Sequence, residues 1–209
     1  MRVAVIDYGV GNLASVSQGL KMAGMDPVVT LDKEEILKAG AVILPGVGAF
    51  ARGMDNLRDS GLIPVIHEIA ARNTPLLGIC LGMQLLFEKS EEHGEHTGLG
   101  LLKGRVRRFP QGLKIPHMGW NMLTGTKNHL LLRNIPAQSY VYFVHSYYVE
   151  EANLEHIAAC TNYGVEFPAI VCFNNIVGMQ FHPEKSSRVG LEILKNFGGL
   201  VRDVSNPSH

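Results

Sequence analysis

The stretch that decides the fold reads Pro75-Leu76-Leu77-Gly78-Ile79-Cys80-Leu81-Gly82-Met83-Gln84. Pro75 to Ile79 is a short apolar run of the kind that forms a strand buried on both faces, and a helix from Leu81 to Glu88 is expected to follow it without a loop. A strand that becomes a helix within one residue presses backbone against backbone. Glycines two positions to either side of Cys80 remove side chains that would clash there. The turn exposes the Cys80 sulfur and sets it at the positive end of a helix dipole, where negative charge is stabilised. The Leu81 N–H is then aimed at any oxyanion formed beside it. Taken alone, an apolar-flanked cysteine is a packing residue more often than a reactive one. The strand-to-helix junction and the paired glycines instead give a nucleophile elbow.

Upstream, short apolar runs alternate with helical stretches, the pattern of a parallel sheet covered by helices. Val3 to Ile6 reads as a buried strand, and Asn12 can cap a helix whose Leu13, Val16, Leu20 and Ala23 recur at helical spacing before Gly24 ends it. Pro27 to Thr30 and Ala41 to Leu44 are further strands, separated by a short helix from Lys33 to Lys38, and Ala49 to Asn73 holds one or two helices. Downstream, Lys89 to Thr97 reads as a polar surface loop. Beyond Leu99 the texture turns antiparallel, with strands expected over Arg105 to Phe109, Tyr140 to Val144, His156 to Thr161, Ala169 to Phe173 and Ile176 to Gln180. A helix near Arg188 to Leu200, with Val189, Ile193 and Phe197 on one face, leads into a polar tail.

The fold class expected is therefore α/β: a mostly parallel central sheet flanked by helices, with a smaller antiparallel portion in the C-terminal half. At 209 residues the chain suits one domain over 1–209 with one core. Nineteen basic and nineteen acidic side chains leave no basic excess to argue for nucleic acid or an anionic membrane surface. No run of about 18 apolar residues suggests a membrane span. The first strand begins at once, with no export signal before it, so a cytoplasmic location is expected. Cys80, Cys160 and Cys172 show no metal-ligand spacing, and their odd number argues against a disulfide framework. Cys160 and Cys172 lack flanking glycines and read as packing residues.

A cysteine nucleophile needs a base, and His182 in Gly178-Met179-Gln180-Phe181-His182-Pro183-Glu184 is the best of nine histidines. Pro183 biases His182 toward an extended backbone, so His182 and Glu184 can project to one side. Glu184 can then accept from the imidazole and hold it, the logic of a nucleophile, base and orienter. Read alone, His-Pro-Glu is equally compatible with a surface turn. His93 and His96 lie in an acidic polar stretch without further ligand spacing and read as solvated. Pro45-Gly46-Val47-Gly48, at the end of a strand, is a suitable source of a second oxyanion donor.

The strings Pro45 to Gly48, Gly78 to Gln84 and His182 to Glu184, in that order, resemble class I (triad-type) glutamine amidotransferases. Three more segments, Asp7-Tyr8-Gly9-Val10-Gly11-Asn12-Leu13, Pro116-His117-Met118-Gly119-Trp120-Asn121 and Tyr142-Phe143-Val144-His145-Ser146-Tyr147, narrow the resemblance to the glutaminase subunits of imidazole glycerol phosphate synthase. It runs over nearly the whole chain. It implies a heterodimer with a cyclase subunit of (β/α)₈ barrel fold, which uses ammonia to make imidazole glycerol phosphate and an aminoimidazole carboxamide ribotide in histidine biosynthesis.

By position in the matching motifs, Cys80 is the nucleophile, His182 the base and Glu184 its partner, while Val47 and Leu81 supply oxyanion N–H groups. Gly48, Gln84, Glu92, His145, Ser146 and Tyr147 fall where the family binds L-glutamine. Gln84, four residues after Cys80, can reach the same pocket from one helical turn on. Glu92 suits a substrate ammonium, although it reads equally well as a solvated acid. The partner face implied takes in Tyr8, Gly9, Asn12, Met118, Trp120, Asn121 and Lys185. For Trp120, in an expected loop, a core plug and an interface anchor both remain open. The chemistry implied is attack of Cys80 on the glutamine side-chain carbonyl, release of ammonia, and hydrolysis of a thioester, with no metal or organic cofactor. Two other readings are compatible with the residues: a stand-alone cysteine hydrolase on the same scaffold, and a silent binding subunit. A glutaminase serving a different amidotransferase is a third.

Overall fold

The computed structural model describes residues 1–205, with side chains through residue 200. In chain order the strands are β1 Arg2–Ile6, β2 Asp26–Thr30, β3 Ala41–Leu44, β4 Leu76–Ile79, β5 Phe87–Ser90, β6 His96–Thr97, β7 Leu102–Arg108, β8 His117–Met122, β9 Tyr140–His145, β10 Tyr147–Glu150, β11 Ile157–Asn162, β12 Glu166–Phe173 and β13 Ile176–Met179. The helices are α1 Leu13–Met22, α2 Lys33–Lys38, α3 Phe50–Asp59, α4 Ile63–Ala71, α5 Leu81–Leu85 and α6 Ser187–Ser205. The tail expected after Leu200 continues as helix to Ser205, and residues 206–209 lie outside the described residues.

Seven strands form the central sheet in the order β11-β12-β13-β4-β3-β1-β2. From β13 to β2 every pairing is parallel, and β12 and β11 add an antiparallel edge. This is the mostly parallel sheet with an antiparallel C-terminal portion that the alternating texture implies. A four-stranded sheet, β10-β7-β5-β6, and the β8-β9 pair sit beside it.

The local signals at the helix starts act as expected. Asn12 accepts from the Ser15 N–H at 3.2 Å and Asp32 from the Glu35 N–H at 2.8 Å, each satisfying one orphan donor at a helix start. Glu34 and Glu35 in the first turn of α2 meet the positive end of its dipole.

Core packing departs from the expectation of one core, because a doubly covered sheet has two apolar faces. Val3, Val5, Ile43, Leu77 and Ile79 turn to one side, where they meet Val16 and Leu20 of α1 and Ile193, Leu194 and Phe197 of α6. Ala4, Ile6, Val42, Leu44 and Leu76 turn to the other, against Ile36, Phe50, Leu57, Ile66, Ile69 and Leu85 of α2 to α5. Strand alternation thus splits consecutive residues between two clusters. Among the described residues no helix is long and apolar enough to cross a membrane.

Two segments differ from the sequence reading. The helix expected to reach Glu88 stops at Leu85, and Phe87–Ser90 is a strand inside what reads as helix and loop. Tertiary pairing overrides the local pattern: the N–H groups of Leu99, Leu101 and Gly100 take the carbonyls of Leu85, Leu86 and Phe87, and β5 then runs beside β7. His117–Met122, expected as a loop around Trp120, is strand β8. Its alternation is inverted, with Met118 and Trp120 outside and His117 inside, so apolar patterning does not reveal it.

Three neighbouring parallel strands end at one edge of the sheet: β3 in Pro45 to Gly48, β4 in Cys80, and β13 in the segment leading to His182. Their packing depends on absent side chains. A Cβ on Gly82 would lie 1.8 Å from the Leu44 carbonyl oxygen, and one on Gly78 2.7 Å from the Gly82 carbonyl oxygen. Gly199 of α6 has open space around it. We therefore expect Gly82→Ala to lower unfolding free energy by about 3 kcal/mol or more. Gly199→Ala, which only removes backbone freedom from a helix, should raise it by roughly 0.5–1 kcal/mol. Urea titrations of the two variants check both signs.

Candidate active site

Cys80 is the N-cap of α5, with φ 54° and ψ −108°. A non-glycine residue there carries strain of about 1–3 kcal/mol, which its surroundings must impose. They do so through backbone bonds: the Cys80 N–H donates to Met179 at 2.8 Å, and the Gln84 N–H returns to the Cys80 carbonyl at 3.2 Å. The turn holds the sulfur over the cleft rather than in the sheet. Cys160 and Cys172 occupy strands β11 and β12, and burial pushes both thiols up, that of Cys172 to about 12. They are suited to packing, not attack.

His182 follows β13 and opens a tight turn over Pro183–Lys185. Its Nδ1 lies 2.8 Å from Oε1 of Glu184, and the two side chains are 3% and 1% exposed. A carboxylate accepts, so Nδ1 carries the proton and Nε2 is the ring nitrogen left for the sulfur. Nε2 makes no hydrogen bond to another residue. Burial would depress the imidazole, but the Cys80 sulfur and the Glu184 carboxylate outweigh it and push its pKa up to about 9. The turn is pinned from β9. The His182 N–H donates to the Tyr142 carbonyl at 2.9 Å, the Tyr142 N–H to Ser186 Oγ at 2.9 Å, and that hydroxyl to the His182 carbonyl at 2.7 Å. Ser186 is absent from the sequence-level set. So is Gln180, fully buried, whose Nε2 points at Cys80 Sγ from 3.8 Å. A signal for Gln180 existed: it is the one polar residue in the run Ile176 to Phe181 and lies two before His182, on the same side of an extended chain.

The loop after β3 brings Val47 and Gly48 to the cleft, but its orientation departs from a two-donor hole. The Leu81 N–H donates to the Gly46 carbonyl at 3.3 Å. Because a trans peptide points its C=O and N–H in opposite directions, the Val47 N–H of that same unit faces away from Leu81. Tyr8 anchors the loop one residue earlier, its hydroxyl donating to the Pro45 carbonyl at 2.6 Å. Burial, with Cys80 nearby, pushes the Tyr8 phenol far above its ordinary value, so it stays a neutral donor.

A cleft of about 470 Å³ opens over the sulfur, lined by Val47, Gly48, Cys80, Leu81, Gln84, Glu92, Pro116, Val144, His145, Ser146 and Tyr147. All eight residues expected to bind glutamine or to donate to an oxyanion are in that set. Gln84 is less free than its spacing suggests: its amide donates to the Tyr147 carbonyl and to Gln180 Oε1, both at 3.0 Å. Glu92 is not a solvated acid. One carboxylate oxygen accepts from the Phe50 N–H at 2.6 Å, serving as the N-terminal partner that Ala49 cannot supply to α3. Its neighbour Glu91 is tied to Arg105 and Arg107 at 3.4 and 3.3 Å. His93 is exposed and His96 half-buried.

The residues expected at a partner face divide. Gly9, Asn12 and Lys185 are exposed, as are Met118 and Trp120 at 63% and 53%. Trp120 is therefore no core plug; its ring meets that of Tyr142 edge-on at 6.1 Å. Tyr8 is buried instead, and Asn121 is half-buried, its amide donating to the Asn162 carbonyl at 2.9 Å.

The family model described as glutamine amidotransferase class-I matches residues 4–199. A relative from Moorella thermoacetica, named imidazole glycerol phosphate synthase subunit HisH, is 53% identical over 207 residues, covering 99% of each chain. One of the same name from Desulfitobacterium hafniense is 54% identical over 208 residues, again covering 99% of each. Among solved structures, a glutamine amidotransferase shares the fold with TM-score 0.74 at 20% identity, over 94% of this chain and 98% of that one. The structure of PurLQS from Thermotoga maritima matches at TM-score 0.69 and 22% identity, over 98% and 99%. The chain belongs to the class I glutamine amidotransferases and, within them, to the HisH subunits of imidazole glycerol phosphate synthase.

Proposed function

We propose that Cys80, His182 and Glu184 hydrolyse the side-chain amide of L-glutamine, and that the ammonia passes to a cyclase subunit that forms imidazole glycerol phosphate and an aminoimidazole carboxamide ribotide. The observation that carries this reading is the meeting, at one sheet edge, of a strained helix-cap cysteine and a buried His182–Glu184 pair 2.8 Å apart. In the first half-reaction the Cys80 thiol gives its proton to His182 Nε2 and the sulfur bonds to the amide carbon. The tetrahedral oxyanion collapses, the C–N bond breaks, and His182 returns the proton to the departing ammonia. In the second, His182 takes a proton from water, whose oxygen attacks the thioester. The C–S bond breaks, glutamate leaves and the thiol is restored. Every proton is accounted for by one imidazole, so the sequence of steps calls for no cofactor.

The oxyanion needs two donors, and here the Leu81 N–H is engaged by the Gly46 carbonyl. Rotation of the Gly46–Val47 peptide would withdraw that carbonyl and present the Val47 N–H in its place. We read this as the step a partner controls. The relatives are named as subunits of a synthase, which implies a second subunit. The exposed face of Gly9, Asn12, Met118, Trp120 and Lys185 suits it, and Trp120 pairs across β8-β9 with Tyr142, whose carbonyl holds the His182 N–H. The chain is read as one amidotransferase domain working in the cytoplasm. Its three cysteines as free thiols fit a reducing compartment.

Cys80→Ala should lower glutamate release from glutamine by at least about 10⁴-fold while the complex still works on supplied ammonium salts. Coupled assays with each nitrogen source check this, and retained glutaminase activity would remove Cys80 from its role. Trp120→Ala and Lys185→Ala should weaken cyclase-stimulated glutaminase by a coupling of about 1–3 kcal/mol, with the isolated chain still folded. Titration with the cyclase subunit reads this as a rightward shift or a lower plateau.

A pH prediction follows from His182, whose folded-state pKa stands above its unfolded value near 6.5. A raised pKa means the stabilisation is fully present below pH 6.5 and is lost as pH rises through about 9. The stability gap between wild type and His182→Gln should therefore narrow between pH 6 and pH 10. Denaturant melts at the two ends of that range measure it.

A further inference from the structure

The mechanism leaves unused a run of buried and half-buried polar groups that begins on β8. His117 and Asn121 are four apart on one strand and so face the same side, opposite to Met118 and Trp120. His117 pairs in register with His145 of β9, and the two rings meet with Nδ1 of His117 3.0 Å from Nε2 of His145. Nδ1 of His145 is 2.7 Å from the Tyr147 carbonyl.

The donors and acceptors resolve from that carbonyl backwards. A carbonyl only accepts, so His145 Nδ1 carries a hydrogen. Burial holds both rings neutral, His145 at about 3 and His117 at about 4, against the small opposing pull of the Tyr147 carbonyl on His145. His145 Nε2 is then bare, and His117 Nδ1 must donate to it. His117 Nε2 is bare in turn and accepts from the Asn121 amide at 3.2 Å. The orientation of that amide is fixed by its other two bonds: the second N–H goes to the Asn162 carbonyl at 2.9 Å and the oxygen accepts from the Met122 N–H at 2.8 Å. At the far end the Tyr147 carbonyl also receives Gln84, which donates on to Gln180, whose amide faces Cys80. Each ring nitrogen has one role, and reversing either ring would set donor against donor or acceptor against acceptor along the chain.

We propose that His117 and Asn121 are positioning residues, the start of a one-directional hydrogen-bond chain that runs from the strand bearing Met118 and Trp120 to the cleft. The chain fixes the tautomer and plane of His145 and the direction of the Tyr147 carbonyl. Through that carbonyl it orients Gln84. Neither His117 nor Asn121 lines the cleft. The proposal rests on the reading of that cleft as a glutamine site, and it adds a route by which a shift of β8 reaches the substrate groups.

Ring-nitrogen NMR on the wild-type chain at pH 7 tests the chain of tautomers without reference to activity. Both His117 and His145 should be neutral with the hydrogen on Nδ1; either ring with its hydrogen on Nε2, or charged, overturns the proposal. Kinetics of the complex test the consequence. His117 also stacks on Phe143 and Tyr163, with centroids 5.0 and 4.1 Å away. His117→Phe keeps a stacking ring but neither hydrogen bond, whereas His117→Gln keeps a donor and an acceptor but no ring. We expect His117→Phe to raise KM for glutamine about ten-fold with kcat changed less than about three-fold, the scale of one lost hydrogen bond. His117→Gln should recover most of that. The reverse order, Phe harmless and Gln damaging, would show a packing role only and overturn the proposal. A wild-type complex without glutaminase activity would refute the glutamine reading instead, and the tautomers would still decide the chain.

Discussion

At the turn from β4 into α5 the Gly82 α-carbon sits so close to the Leu44 carbonyl that even a methyl group would overlap the oxygen, and a methyl on Gly78 would come within 2.7 Å of the Gly82 carbonyl oxygen. That approach is what allows a parallel strand to become a helix in one residue. The turn forces Cys80 to a positive φ, lifts its sulfur to the carboxyl edge of the sheet and points the first N–H of α5 at the loop after β3. The strain at Cys80 persists because the strands on both sides of β4 over-determine it. β13 holds the Cys80 N–H, and β3 holds the Leu81 N–H through Gly46. A ligand site at the carboxyl ends of adjacent parallel strands is the general consequence of this architecture.

On the proposed reading, catalysis and partner contact share few residues. His182 is tied to Glu184 on one side and to β9 on the other, so its imidazole is set by a strand whose partner, β8, faces outward. Tyr8 is buried between the exposed loop at Gly9 and Asn12 and the Pro45 carbonyl that precedes the Gly46–Val47 peptide. Hydrogen bonds thus lead from the outward face toward Cys80 both through His182 and through the loop after β3.

Legibility in the sequence follows the range of the interactions involved. Up to Gly82 the elements obey local rules, with Asn12 and Asp32 as caps and buried apolar runs for β1, β3 and β4. The elbow and the His-Pro-Glu turn were legible because each carries a local residue pattern, glycines two to either side of Cys80 and Pro183 between His182 and Glu184, although β3, β13 and β9 hold them in place. Strand β5 was not, since its pairing with β7 crosses a loop whose N–H groups intercept the end of α5. Strand β8 was hidden by Met118 and Trp120, apolar residues placed outside, and the burial of Tyr8, expected at a partner face, is not signalled because nothing local reveals its bond to Pro45. The state of the oxyanion loop turns on one long-range hydrogen bond, from Leu81 to Gly46, which composition and spacing do not encode.

On the proposed reading, one thiol of three forms a covalent bond with a glutamine side chain. The most direct measurement is to treat the complex with a glutamine-like electrophile, with and without excess glutamine, and to map the modified cysteine by peptide mass spectrometry. A single adduct is expected on the peptide carrying Cys80, suppressed by glutamine, with Cys160 and Cys172 unmodified in their strands. An adduct on either of those two cysteines, or labelling of Cys80 that glutamine does not suppress, would contradict it.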